Sequence, residues 1–149
     1  MADVIDWRKL SVRRDARFEL LEDKFCSTKG ASALAVFSTV KELMVFAALV
    51  GVQLNKYEPI AAKVKTTPIL LDTYSSTNHD SYIYLIALFK EPTLDILRNE
   101  NLRSAIGIFE GYCNGGLKHI DDWIMNNIGE PIMTNILFNQ TLEYLVSNE

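Results

Sequence analysis

Apolar residues recur every three or four positions in the second half of the chain, from Leu102 to Ile124. Because an α-helix has about 3.6 residues per turn, this spacing places them on one helical face. The pattern keeps its phase through Gly115 and Gly116, so it predicts one long helix. The stripe consists of Leu102, Ile106, Phe109, Cys113, Gly116 or Leu117, Ile120 and Ile124.

A break at Asn114-Gly115 is the alternative, because Asn-Gly is a strong turn signal and glycine commonly follows a helix end. It would give one helix from Asn99 to Cys113 and another from Leu117 to Asn126. A turn would have to restore the helical phase by accident. The single helix is therefore favoured.

Two adjacent glycines inside a helix need a physical reason, since each destabilises it by roughly 1 kcal/mol relative to alanine. Glycine lets another group approach the backbone closely, and that group is another helix, a second copy of the chain or a ligand. We therefore expect Gly115 and Gly116 at a tightly packed contact. The Asn114 amide is expected to satisfy backbone groups nearby.

The first half of the chain contains two capping signals. Asp15 can cap a helix that ends near Cys26. Its expected buried positions are Phe18, Leu21 and Phe25. The stretch Ser27–Gly30 is a break, and Ala31–Phe37 is either a helical turn or a strand.

The second signal is Thr39 with Glu42, which have the spacing of a capping box. The helix they begin runs to about Val50, ends at Gly51 and is apolar nearly all round, which predicts a place at the centre of the core. The residues expected to be almost inaccessible are Leu43, Phe46, Ala47 and Val50.

A short strand and two helical pieces are predicted next. Thr67–Tyr74 could form a strand that Pro68 limits to a start or a sheet edge. After a loop at Ser75–Asp80, the apolar run Tyr82–Phe89 indicates a buried helix, with a buried strand as the alternative. Glu91-Pro92 then begins a helical turn, Thr93 to Arg98.

The remaining pattern completes a mainly α fold. Gly129-Glu130-Pro131 marks a boundary, and Phe138, Leu142 and Leu145 give the last helix an apolar stripe. We predict a compact single-domain helical fold of five or six helices with at most a short β element. With 149 residues, the chain suits one domain over residues 1–149, in which residues 1–14 form a basic extended segment.

Composition favours a cytoplasmic protein. The chain is 48% hydrophobic and 23% charged, which is typical of a globular domain. Its start, Met1 to Asp6, lacks the features of a secretory signal, and the apolar run Leu43–Val50 is too short to span a membrane. Cys26 and Cys113 lie in helix-like apolar patterns and are interpreted as buried, reduced thiols.

Charge is distributed unevenly. Residues 1–75 carry 11 Lys and Arg against 9 Asp and Glu, whereas residues 76–149 carry 4 against 10, within a net charge of -4. A polyanion should therefore meet the amino-terminal half. The candidate nucleic-acid-binding residues are Arg8, Lys9, Arg13 and Arg14.

This basic segment has two interpretations. Leu10 and Val12 alternate with polar residues, and an extended piece followed by two helices is the order of a ribbon-helix-helix module, whose strands enter the DNA major groove. However, the connection Ser27–Ser38 is longer than such modules usually have. The other interpretation is a solvated flank.

Candidate catalytic chemistry is sparse. His79 lies beside Asp80, and His119 could pair with Asp122 on one helical face, but no partner nucleophile is identifiable. The common phosphate-binding and dinucleotide-binding glycine motifs are missing from the sequence. We expect no enzyme activity, no metal and no cofactor.

Three segments carry a family resemblance. They are the block Glu110-x-Tyr112-x-Asn114-Gly115-Gly116-Leu117, the run Thr39-Val40-Lys41-Glu42-Leu43-Met44-Val45-Phe46-Ala47-Ala48-Leu49-x-Gly51, and Glu58-Pro59-Ile60. Together they resemble the small dnd-system-associated proteins, short bacterial proteins found beside DNA phosphorothioation genes. The resemblance implies an accessory role in DNA modification or restriction, in defence against phage.

Two functional hypotheses follow. The first is a non-enzymatic accessory that contacts proteins of the defence system or DNA, with an interaction surface at Glu110, Tyr112, Asn114, Gly115 and Gly116. The second is a DNA-binding regulator built on the basic segment. The acidic carboxy-terminal half favours the first. Duplex DNA and a second copy of the chain, as a homo-oligomer, are further candidate partners, and no membrane contact is expected.

Overall fold

The computed structural model describes residues 6–26, 36–126 and 133–147, with the side chains of the last range described from 138 to 146. Within these residues the chain is mainly helical with one short sheet, which confirms the predicted fold class. The strands are β1 (Ser11–Asp15) and β2 (Thr66–Leu70). The helices are α1 (Glu19–Phe25), α2 (Val40–Gln53), α3 (Leu71–Ser75), α4 (Asp80–Lys90), α5 (Leu102–Asn126) and α6 (Met133–Ser147). Short 3-10 turns occupy Trp7–Lys9, Ala16–Phe18, Leu94–Leu97 and Asn99–Asn101.

The sheet pairs β1 with β2 in antiparallel register, from Ser11 opposite Leu70 to Asp15 opposite Thr66. Pro68 lies opposite Arg13, where β2 needs no backbone donor, as the prediction of an edge position requires. The predicted strand Thr67–Tyr74 was too long. The chain turns into α3 because Leu71 and Tyr74, three residues apart, are both buried on one helical face.

Helix α2 begins at the predicted Thr39–Glu42 signal, but the carboxylate half of the capping box is shifted by one residue, from the Thr39 N–H to that of Ser38. The Thr39 hydroxyl accepts a hydrogen bond from the Glu42 N–H at 3.3 Å, and the Glu42 carboxylate accepts one from the Ser38 N–H at 3.0 Å. The helix does not end at Gly51 but continues to Gln53. Gly51 is buried inside it, where a close helix contact uses its missing side chain.

The core prediction for α2 was correct at Leu43 and Ala47, which are fully buried. It was wrong at Phe46 and Val50, which are only partly buried. The reason is that both line an apolar cavity of about 360 Å³, whose other walls include Trp123 of α5 and Tyr144 of α6.

Helix α5 is continuous from Leu102 to Asn126, so the two-helix alternative is wrong. Every position of the predicted stripe is buried, and so is Gly115 beside it. This helix packs against α2, α4 and β1 and forms the centre of the fold.

Two other apolar patterns proved less buried than expected. Tyr82–Phe89 is helical, but α4 buries Ile83, Ile86 and Ala87 and leaves Leu85 and Phe89 about 60% exposed. The last helix forms, yet Phe138, Leu142 and Leu145 lie in solvent. An apolar stripe therefore predicted the helices correctly but not what covers them.

Some predictions fall outside the described residues. They are the break Ser27–Gly30, most of Ala31–Phe37 and the boundary Gly129-Glu130-Pro131. The helix capped by Asp15 starts as a 3-10 turn, in which the Asp15 carboxylate accepts a hydrogen bond from the Arg17 N–H at 2.9 Å. In the described part of the chain, no helix has the length and apolar character needed to cross a membrane.

Candidate functional site

The glycines of α5 allow two backbones to approach each other closely. A Cβ on Gly116 would overlap the carbonyl oxygen of Ala47 in α2, and a Cβ on Gly51 would overlap the carbonyl oxygen of Tyr112 in α5. The two helices therefore contact each other through main chain. The predicted close approach is real, and its partner is another helix of the same chain.

The segment that follows α2 is held against the same face of α5. The Lys56 carbonyl packs against Gly115, and the Tyr57 ring packs against Gly111. The Glu58 N–H donates to the Gly111 carbonyl at 3.0 Å. The Asn114 amide donates to the Glu58 carbonyl at 2.9 Å, as predicted for this side chain.

The predicted interaction residues are thus largely internal. Glu110, Tyr112 and Asn114 are at most 5% exposed, and Gly115 and Gly116 are buried. They bring together α2, the segment 56–58 and α5. Tyr112 and Asn114 are therefore closed to a partner in the folded chain, whereas the edge of Glu110 reaches a surface cavity.

The basic segment divides into buried and exposed cations. Arg14 is 6% exposed, and its guanidinium donates to both carboxylate oxygens of Glu22, at 2.9 and 3.0 Å. A buried bidentate pair of this kind is not available to a phosphate. Arg8 stacks on Trp7, with the guanidinium carbon 4.8 Å from the ring centre.

Arg13 lies half-exposed beside the buried carboxylate of Glu110. Its Nε and Nη2 atoms donate to Glu110 at 3.2 Å, and its backbone N–H donates at 2.6 Å. The hydrogen bond and the charge of Glu110 raise the pKa of Arg13, so it stays a cation. Strand β1 pairs with β2 of the same chain, and on its other edge the Arg13 N–H donates a hydrogen bond to Glu110. Both edges of β1 are therefore occupied within the chain, unlike the strand pair of a ribbon-helix-helix module.

Arg13 opens onto a surface cavity of about 390 Å³, which we call the arginine groove. It is lined by Lys9, Leu10, Ser11, Arg13, Arg103, Ile106 and Glu110. Sequence reasoning missed Arg103, because only the fold brings the start of α5 beside β1. Arg103 is exposed and forms no ion pair with any described residue.

A second polar cavity, of about 360 Å³, lies where segment 56–58 meets α5, and we call it the lysine pocket. It is lined by Asn55, Lys56, Tyr57, Glu58, Gly115, Lys118, His119 and Asp122. Burial and the charge of Lys56 lower the pKa of His119, and Asp122 opposes this shift. His119 packs edge-on against Trp123, with the ring centres 4.8 Å apart. Its possible pair with Asp122 is not formed as a hydrogen bond among the described residues, and Asp122 acts on the ring through its charge.

The described cysteines are poor nucleophiles. Cys26 and Cys113 are buried and reduced. Burial raises the pKa of the Cys113 thiol far above neutrality, which leaves almost no reactive thiolate. The Cys113 sulfur contacts the Met44 sulfur at 3.4 Å, so its position is explained by core packing.

The family model described as DNA sulphur modification system-associated protein 4 matches residues 12–144. This match covers most of the chain, and the chain belongs to that family. Its association with a DNA sulphur modification system places it as an accessory of such a system. No curated protein and no solved structure matches it.

The glycine contact predicts a strong difference between two glycines of one helix. Gly116→Ala should lower the free energy of unfolding by about 1–3 kcal/mol, because the methyl group meets the α2 backbone, which cannot rotate away. Gly107→Ala is the matched control, since a Cβ there meets nothing within 4 Å. It should be neutral or stabilising by up to about 1 kcal/mol. Urea unfolding measures both, and equal effects would contradict the close approach.

The buried ion pair predicts a second difference. Glu22→Gln should destabilise the fold by about 3–5 kcal/mol, because it leaves the Arg14 cation buried without its countercharge. Glu19→Gln, on the exposed side of α1, should change stability by less than about 0.5 kcal/mol. Thermal and urea unfolding would measure the two variants. A mild effect of Glu22→Gln would show that Arg14 reaches solvent.

Proposed function

We propose that this chain is a non-enzymatic accessory of a DNA sulphur modification system in phage defence, and that it contacts the phosphate backbone of duplex DNA through the arginine groove. The observation that carries this proposal is the meeting of Lys9, Arg13 and Arg103 at one cavity. Arg103 is 90 positions from Arg13, so the fold concentrates the positive charge.

The charges of the groove suit a phosphate. Three cations face one acid, and that acid is already bonded to Arg13 through three hydrogen bonds. The guanidinium of Arg13 remains half-exposed, and Lys9 is 84% exposed with only a 4.0 Å contact to Asp6. Guanidinium groups bind phosphate oxygens in a planar, two-point geometry. Ser11 adds a hydroxyl donor at the same cavity.

Non-enzymatic action is supported by the chemistry of the described residues. Sulfur transfer needs an activated thiolate or an iron–sulfur cage, and the buried thiols of Cys26 and Cys113 offer neither. The family description names a system-associated protein. Contact with a partner is therefore the more economical mode of action.

DNA contact predicts a measurable salt dependence. The chain should bind duplex DNA with an affinity that falls with salt at a log–log slope of about -0.9 per phosphate contact. Arg103→Gln should weaken binding several-fold and reduce the slope by about one contact. Arg98→Gln, an exposed arginine outside the groove, should leave binding unchanged.

Fluorescence anisotropy with plain and phosphorothioated duplexes, at several salt concentrations, would test the proposal. Equal binding to both duplexes would indicate backbone contact without sulfur recognition. Absence of binding to either duplex would reject direct DNA contact by the isolated chain. If Arg103→Gln left the salt dependence of DNA binding unchanged, the arginine groove would not be the DNA contact.

A protein-adaptor role is the second candidate, and the exposed apolar face of α4 and the turn after it favours it. Leu85 is 60%, Phe89 61% and Leu94 78% exposed. Tyr82, Leu85 and Phe89 share one helical face, and exposed apolar faces of this kind commonly mark protein contacts.

A second copy of the chain is the simplest occupant to test. If this face pairs two copies, the wild-type protein should sediment as a dimer at micromolar concentration, and Phe89→Ser should be monomeric. Thr73→Ser, an exposed substitution outside the face, is the control. A wild-type monomer would exclude this homodimer and leave the face to a different protein of the system.

A further inference from the structure

The lysine pocket is a rigid cavity built by the glycine contact. Its Lys56 backbone is fixed at both ends, since the N–H donates to the Gly51 carbonyl at 2.8 Å and the carbonyl rests on Gly115. The Glu58 backbone is also fixed, since its N–H donates to the Gly111 carbonyl and its carbonyl accepts from the side-chain amide of Asn114. A ligand would therefore meet walls that are already in place, which reduces the ordering required for binding.

The lining of this pocket holds two lysines and two acids, and Lys56 is the lysine whose charge no ion pair neutralises among the described residues. Lys56 is exposed and forms no ion pair with any residue in the described part of the chain. Glu58 pairs with Lys118 at 3.8 Å and with Arg17 at 3.5 Å, and Arg17 also pairs with Asp15 at 3.2 Å, so Glu58 is already engaged by other cations and does not neutralise Lys56. The charge of Lys56 reaches His119, where it opposes protonation of the ring.

The arrangement of donors matches a small anion. Lys56 and Lys118 supply ammonium groups, and His119 supplies a ring N–H from the next position of α5. Asp122 is the remaining acid in the lining, one helical turn beyond Lys118. The cavity, of about 360 Å³, has room for more than a bare ion, because pockets for small organic ligands begin near 300 Å³.

We propose that the lysine pocket binds a phosphate group, held by Lys56, Lys118 and His119. The phosphate belongs either to a free nucleotide or to nucleic acid, and its charge and oxygen atoms are what the pocket recognises. This site is separate from the arginine groove and does not depend on the proposed DNA contact there.

Nuclear magnetic resonance of the His119 ring would test the site directly. In the folded wild-type protein, inorganic phosphate should shift the His119 ring signals in a saturable manner. Lys56→Gln should weaken the apparent affinity about tenfold, as expected for the loss of one charge-assisted contact. Lys63→Gln, an exposed lysine outside the pocket, is the control and should leave the affinity unchanged.

Asp122→Asn provides the opposite test, because it removes the acid that repels an anion and should tighten phosphate binding several-fold. Phosphate should also raise the pKa of His119, since a bound anion stabilises the imidazolium against Lys56 and Lys118. Asp122 acts on the same ring, Glu58 lines the same pocket, and both are present in the free and bound states. These changes would not follow from a purely structural role of Lys56.

Two further probes distinguish the sources of the phosphate. Tighter binding of a deoxynucleoside monophosphate than of a short duplex at His119 would assign the pocket to free nucleotides, and the reverse would assign it to nucleic acid. Each result supports the phosphate site. Failure of phosphate, nucleotide and duplex to shift His119 would overturn it, as would equal affinity in wild type and Lys56→Gln. Loss of DNA binding in Arg103→Gln alone would concern only the groove.

Discussion

The close approach of the α2 and α5 backbones is the constraint on which the rest of the structure depends. Gly51 and Gly116 are the two sides of this contact, and each faces a carbonyl of the other helix. A side chain at either position would separate the helices and leave the surrounding apolar residues underpacked. The destabilisation caused by glycine in a helix is thus offset by packing that larger residues would prevent. The position of segment 56–58 depends on the same face of α5, because Lys56 and Tyr57 pack against Gly115 and Gly111.

Buried charge connects the amino-terminal strand to this pair of helices. Glu110 accepts three hydrogen bonds from Arg13, and Glu22 accepts two from Arg14. Successive residues of β1 therefore point to opposite sides, one pairing with α5 and the other with α1. Breaking either pair would leave a charge without its partner in a poorly solvated place, which is far more costly than never having buried it. Arg14 of the basic segment therefore stabilises the fold, and only the exposed cations of the segment can contact a ligand.

The spacing of apolar residues was sufficient to predict the helices but not which residues pack against them. The continuous phase from Leu102 to Ile124 predicted α5 correctly through both glycines, and the Thr39–Glu42 capping box predicted the start of α2. Gly51 misled the prediction, because a glycine that ends a helix and one that permits a close contact look alike in sequence. Phe46 was misplaced for a related reason, since an all-round apolar pattern does not reveal an adjoining cavity. The site was the least predictable part, because Arg103 joins Arg13 and Lys56 joins Lys118 only through long-range packing.

The block Glu110 to Leu117, which carries the family resemblance, therefore positions other residues at the two cavities. Glu110 fixes Arg13 at the arginine groove, while Gly111, Asn114 and Gly115 hold the segment that bears Lys56 at the lysine pocket. One helix face thus sets the positions of cations in both cavities without exposing its own residues, apart from Gly115 and Glu110 in the linings. Such a division explains why the most specific sequence pattern is buried. The cations act through the charged ends of flexible side chains, whereas the backbone contact that positions them depends on the missing side chains of Gly51, Gly115 and Gly116.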